Sequence, residues 1–99
     1  MQEFIKDDKL REKVEEFDKI VVQMRETLIR KNSDYGNDNI GYLGEKGIFV
    51  RMFDKICRLK NLVWESKVNQ VKDESTEDTY LDLANYSIIS IIFRRGKWK

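Results

Sequence analysis

The stretch Asp78-Thr-Tyr-Leu-Asp82-Leu-Ala-Asn85-Tyr86-Ser-Ile-Ile-Ser-Ile-Ile-Phe93 decides the fold, because its isoleucines allow a buried strand while its polar spacing points to a helix. β-Branched residues favour sheets, but a strand needs a partner, and no alternating apolar segment elsewhere supplies one. The helix explains more. Ser75 with Asp78 three residues on fits a capping box. Asp78, Asp82 and Asn85, spaced by four and then three, fall on one helical face as a ladder of hard oxygen atoms. A helix over about 76–94 is apolar nearly all round below that ladder, so it must be surrounded.

Working outward, Leu10, Val14, Phe17, Val21, Met24 and Leu28 alternate in steps of four and three, which predicts a long amphipathic helix over about 3–30. Periodicity stops over 31–47, where Gly36, Gly41, Gly44 and Gly47 predict a loop with turns. Loops of that length in a compact domain tend to be functional or disordered, and Tyr35, Ile40, Tyr42 and Leu43 argue for order. Phe49, Met52, Ile56, Leu59 and Val63 then mark a helix over about 48–66. Proline is absent, as suits uninterrupted helices. The expectation is an all-α fold: one domain over 1–99, a three-helix unit with a long N-terminal helix. Its wide apolar surface is completed by self-association into a helical bundle, a homo-oligomer of two chains or more.

Composition narrows the chemistry. With 99 residues, 40% hydrophobic and 37% charged, the core is real but thin. Nineteen basic and eighteen acidic residues leave a formal charge of +1, so no overall field draws the chain to a nucleic acid or an acidic membrane, and any anion site must be local. There is no histidine, which removes the usual general base and the commonest transition-metal ligand. Cys57, the single cysteine, sits within the second helical pattern and reads as a core thiol in a reducing compartment. No window approaches the length of a membrane span, and the expected location is cytoplasmic.

Asp54, Asp78 and Asp82 are candidates to hold Mg²⁺, which takes one or two carboxylates and completes its shell with water and substrate phosphates. The alternative for Asp78 is its capping role at the N3 position; for Asp82 it is an ion pair with Arg51 or Arg58. Arg51, Lys55 and Arg58 repeat at i, i+4 and i+7, a cationic edge able to meet phosphate oxygens, or else a solvated amphipathic face. Asn61 and Asn85 could order metal-bound water or read a base edge. Lys31, Asp34 and Tyr35, beside Gly36, could close over a nucleobase, whereas Gly36 alone also reads as a helix stop. The tail Arg94-Arg95-Gly-Lys97-Trp98-Lys99 either contacts phosphates, with Trp98 stacking on a base, or ends the helix with cations at its negative pole.

Three pieces in order then resemble a known family: Lys31-Asn-Ser-Asp34-Tyr35-Gly36, Gly47 to Leu62, and Asp73 to Tyr86. Together they look like the nucleotide modification associated domain family, a small all-α family met often in phage genomes. That family is in turn similar in pattern to the MazG-like nucleoside triphosphate pyrophosphohydrolases, which hold Mg²⁺ with acids from two helices and cleave between the α and β phosphates. The resemblance implies a nucleotide ligand and, in a catalyst, an Mg²⁺-dependent pyrophosphohydrolase; without histidine the proton acceptor there is a carboxylate, Asp82 or Glu77, or the hydroxide itself. This chain departs from the larger group, having Arg58 one turn after Asp54 where an acid pair is usual. Arginine in place of acid trades a metal ligand for a direct phosphate contact, so non-catalytic sequestration of a nucleotide is the second expectation. A structural oligomer fixed by an Asp82–Arg58 pair is the third.

Overall fold

In the computed structural model, which describes residues 5–36 and 38–99, every regular element is helical: α1 (Asp8–Tyr35), α2 (Asp38–Gly41), α3 (Gly44–Leu59) and α4 (Thr76–Arg94), with no strand among the described residues. The chain is all-α, and the isoleucine run is part of α4.

The Asp7 carboxylate starts α1 by accepting from the amides of Lys9 and Leu10 at 2.9 and 3.2 Å; the expected start near Glu3, like Asn37 of the expected loop, lies outside the described residues. α1 then runs through Asn32, Ser33, Asp34 and Tyr35, which the loss of apolar periodicity had marked as loop. Each added residue of an established helix brings a hydrogen bond without a new nucleation cost, and the Ser33 hydroxyl donates back to the Ile29 carbonyl at 2.9 Å instead of competing with the helix. The stop is Gly36, at φ 83°, whose amide closes on Asn32. The remaining glycine-rich segment is a single turn, α2, followed directly by α3, which starts four residues earlier than its apolar stripe suggests.

α3 widens at its end into a π-helical turn, Lys60–Trp64, where the Glu65 amide reaches the Lys60 carbonyl at 2.9 Å. α4 opens with the reciprocal cap: the Asp78 amide donates to the Ser75 hydroxyl and the Ser75 amide to the Asp78 carboxylate, both at 3.0 Å. It closes in a Schellman motif, with Gly96 at φ 69° and the amides of Lys97 and Gly96 bonded to the carbonyls of Ile92 and Phe93.

α3 and α4 pack as an antiparallel pair, and the C-terminal half of α1 lies against α4. Among the described residues the buried hydrophobic side chains are Met24, Ile48, Leu59 and Ile89. Much of the predicted core is therefore bare: Phe49, Ile56 and Val63 on α3 and Ile88 and Ile91 on α4 are exposed, and so is Cys57, which is not a core thiol. The expectation that α4 is surrounded fails within one chain because only α3 and the C-terminal half of α1 lie against it, which leaves Ile88 and Ile91 uncovered. No helix among the described residues is long and apolar enough to cross a membrane.

Candidate functional site

The C-terminal end of α1, α2 and the middle of α4 enclose a cleft of about 290 Å³, into which Arg51 reaches from α3 and Trp98 from the tail. One wall is polar, with Lys31, Arg51, Asp82 and Asn85; the other is apolar and aromatic, with Tyr35, Tyr86, Ile89 and Trp98.

Asp82 organises the polar wall. Its side chain is only 15% exposed, and its two oxygens are taken by two lysines, Lys31 of α1 at 2.9 Å and Lys55 of α3 at 3.0 Å. The carboxylate thus ties three helices together, and the inward-facing acid of the ladder is a tether. Lys55 continues the chain of charges to Glu74 at 2.8 Å. Burial pulls the Lys55 ammonium down, but the hydrogen bonds and charges of Glu74 and Asp82 outweigh it, and its pKa lies above the ordinary lysine value. Asn85, buried, donates to the Met24 carbonyl at 3.3 Å and holds α4 against α1.

Arg58 stands elsewhere. Its guanidinium donates to the Thr79 hydroxyl at 3.0 Å, the Asn69 side-chain oxygen at 2.9 Å and the Glu74 carbonyl at 2.6 Å, fastening the irregular segment 65–75 to the start of α4. Thr79, fully buried, relays the bond to the Ser75 carbonyl. Arg51 differs from all these cations: it lines the cleft with no hydrogen bond or ion pair among the described residues.

Trp98 is folded back by the Schellman turn onto Gly41. A methyl group at Gly41 would stand 3.0 Å from the indole Cδ1, tighter than ordinary contact, so glycine lets the ring close the end of the cleft. The indole Nε1 is buried without a hydrogen-bond partner among the described residues.

Of the residues expected from sequence, the cleft gathers Lys31, Tyr35, Arg51, Asp82 and Asn85, with Lys55 directly behind Asp82. Asp34, Asn61 and Glu77 are exposed and do not line it, and Arg58 is held in its loop clamp. The three aspartates proposed for Mg²⁺ are not gathered either. Asp54 is exposed on α3, the Asp78 carboxylate accepts the Ser75 amide, and Asp82 faces two ammonium groups; no group of three acidic, cysteine or histidine side chains among the described residues is placed to hold a metal. Bonds from the Ser75 backbone and hydroxyl hold Asp78 below the usual aspartate range. Tyr86 and Glu74 were missed. Tyr86 follows Asp82 by four and so shares its face, a signal present in the sequence; Glu74 lies in an irregular segment with no period to place it.

Compared with known proteins, residues 31–93 match the family model described as nucleotide modification associated domain 1. No curated protein and no solved structure matches the chain.

Proposed function

Because the chain belongs to the nucleotide modification associated domain 1 family, we propose that its cleft binds a nucleotide, with the phosphates at Arg51 and Lys31 and the base against the aromatic wall. The observation that carries this reading is Arg51: it lines the cleft without a partner among the described residues, and a guanidinium so placed is a binding group for an incoming anion whose phosphate oxygens suit its planar fork. Lys31, half exposed at the rim, adds a second cation whose bond to Asp82 a phosphate can share. Tyr35 and Tyr86 line the cleft and are able to stack on a base, with Trp98 closing its end. Binding without hydrolysis fits better than catalysis, because Asp82 has both oxygens occupied and neither Asp54 nor Asp78 stands with it.

Isothermal titration with common ribo- and deoxynucleoside triphosphates, with and without Mg²⁺, tests the reading. Binding is expected without metal, with the ligand recovered intact after denaturation. Arg51→Gln is expected to weaken it about 10- to 100-fold, the loss of roughly 1.5–3 kcal/mol from charge-assisted bonds. Release of pyrophosphate or inorganic phosphate in the presence of Mg²⁺ would move the protein to the pyrophosphohydrolase reading. Failure of every nucleotide to bind would remove both.

A further inference from the structure

The chain exposes more surface than its mass warrants. Its accessible area is 8407 Å², against about 5,900 Å² for a compact monomer of 11.9 kDa, and its radius of gyration is 15.8 Å where about 12.6 Å is ordinary for this length. The excess, roughly 2,500 Å², is on the scale that one chain contributes to a permanent dimer.

Two uncovered apolar surfaces contribute to it. The first is convex. α1, about 42 Å long by its 28 residues, overhangs α4, about 28 Å by its 19. The apolar stripe whose lower end, Met24 and Leu28, faces the molecule continues upward as Leu10, Val14, Phe17 and Val21, with Phe17 64% exposed. These are i, i+4, i+7 and i+11 positions, the anchors of a helix that lies in a groove. The second surface is concave: an apolar groove of about 290 Å³ between α3 and α4, lined by Phe49, Met52, Phe53, Ile56, Leu83 and Ser87. Phe49 and Phe53 are 66% and 57% exposed. No α1 residue lines it, and it uses a different face of α4 from the cleft, whose contacts are Asp82, Asn85, Tyr86 and Ile89.

We propose that two copies of this chain pair reciprocally, the free half of each α1 seating Phe17 and Val21 in the α3/α4 groove of the other. The occupant is a second copy because the stripe and the groove are complementary, both are left bare by the same chain, and a two-fold exchange covers both at once. Two α1 helices paired with each other would leave the grooves in water. The stripe lies outside the family-matched residues 31–93 and the groove on a face of α4 away from the cleft, so the contact does not depend on the nucleotide reading.

Sedimentation of the full chain tests it. Wild type is expected at twice 11.9 kDa at micromolar concentration. Phe17→Glu and Phe53→Glu are each expected to sediment as monomers with unchanged helical circular dichroism, since both side chains are exposed and their loss creates no cavity. Mixing the two variants is expected to restore a heterodimer, because the intact stripe of one meets the intact groove of the other. A monomeric wild type, a dimer that survives either substitution, or a mixture that stays monomeric would overturn the proposal.

Discussion

Replacing Asp82 by Asn separates the anion-site reading from the metal-ligand reading, because the two expect opposite effects on binding. In the structure the carboxylate holds Lys31, 53% exposed, and Lys55, 20% exposed. The Lys31 bond, near solvent, contributes at most about 1 kcal/mol. The Lys55 bond is charge-assisted and half-buried, and its loss leaves the ammonium with Glu74 alone; between about 1 and 2 kcal/mol is expected after discounting for its exposure. Together the loss is roughly 2 kcal/mol, or about 8–16 °C in Tm for a domain of this size. Binding should move the other way. Removing the negative charge that lines the cleft lowers the repulsion an anion meets there and favours it by on the order of 1 kcal/mol, a several-fold fall in Kd. Thermal unfolding followed by circular dichroism reads the first effect, and titration of a nucleotide without metal reads the second. A variant as stable as wild type would refute the tether, and nucleotide binding abolished in Asp82→Asn despite an intact fold would refute the anion site and restore Asp82 as a ligand to metal.

Arg58→Lys should cost about 2 kcal/mol, because a single ammonium cannot serve Thr79, Asn69 and the Glu74 carbonyl together; hydrogen exchange should show segment 65–75 opening while α1 stays protected. The lowered pKa of Asp78 means that its contribution is present above the ordinary aspartate range and is lost as pH falls through the lower folded value, so Asp78→Asn should flatten the acid limb of the Tm–pH curve. For Lys55 the sign reverses: its raised pKa gives a contribution that is present below the ordinary lysine value and is lost only as pH climbs past the folded one, so Lys55→Met should remove the alkaline limb. Gly41→Ala crowds the indole, and in a Trp64→Phe background the remaining Trp98 emission should shift to the red with a small change in Tm.

The helices were legible because their signals are local. The Ser75 and Asp78 cap, the 4-3 stripe of α1 and the polar ladder of α4 are patterns of spacing, and spacing is what a helix turns into geometry. The extension of α1 to Tyr35 was not legible, because residues 31–35 carry no apolar period and propagation from a long helix overrode their weak propensities. The site was legible by face and not by partner. Lys31, Arg51, Asp82 and Asn85 all stand in the sequence reading, yet the sequence pointed Asp82 toward arginine or metal, and its partners are two lysines 27 and 51 residues away on other helices. Arg58 shares a face with Lys55 by spacing, but one turn along α3 it meets the irregular segment and not the cleft.

That difference of one turn shows what the acid ladder does. A helix that presents Asp78, Asp82 and Asn85 on one face sets three oxygen-bearing groups in a row, and each has a different demand on it. Asp78 lies beside amides that begin α4 and is bound by them; Asn85 lies against a carbonyl of α1 and can only donate to it; Asp82, between them, meets the cationic side of α3 and the end of α1 together. A carboxylate there fixes two lysines in place, and a neutral side chain would leave them repelling each other. The acid therefore stabilises a local excess of positive charge in a protein that is nearly neutral overall. For an anion entering the cleft the acid's charge opposes binding even as it holds Lys31 at the rim, and Arg51, without a partner among the described residues, is the cation left to meet it.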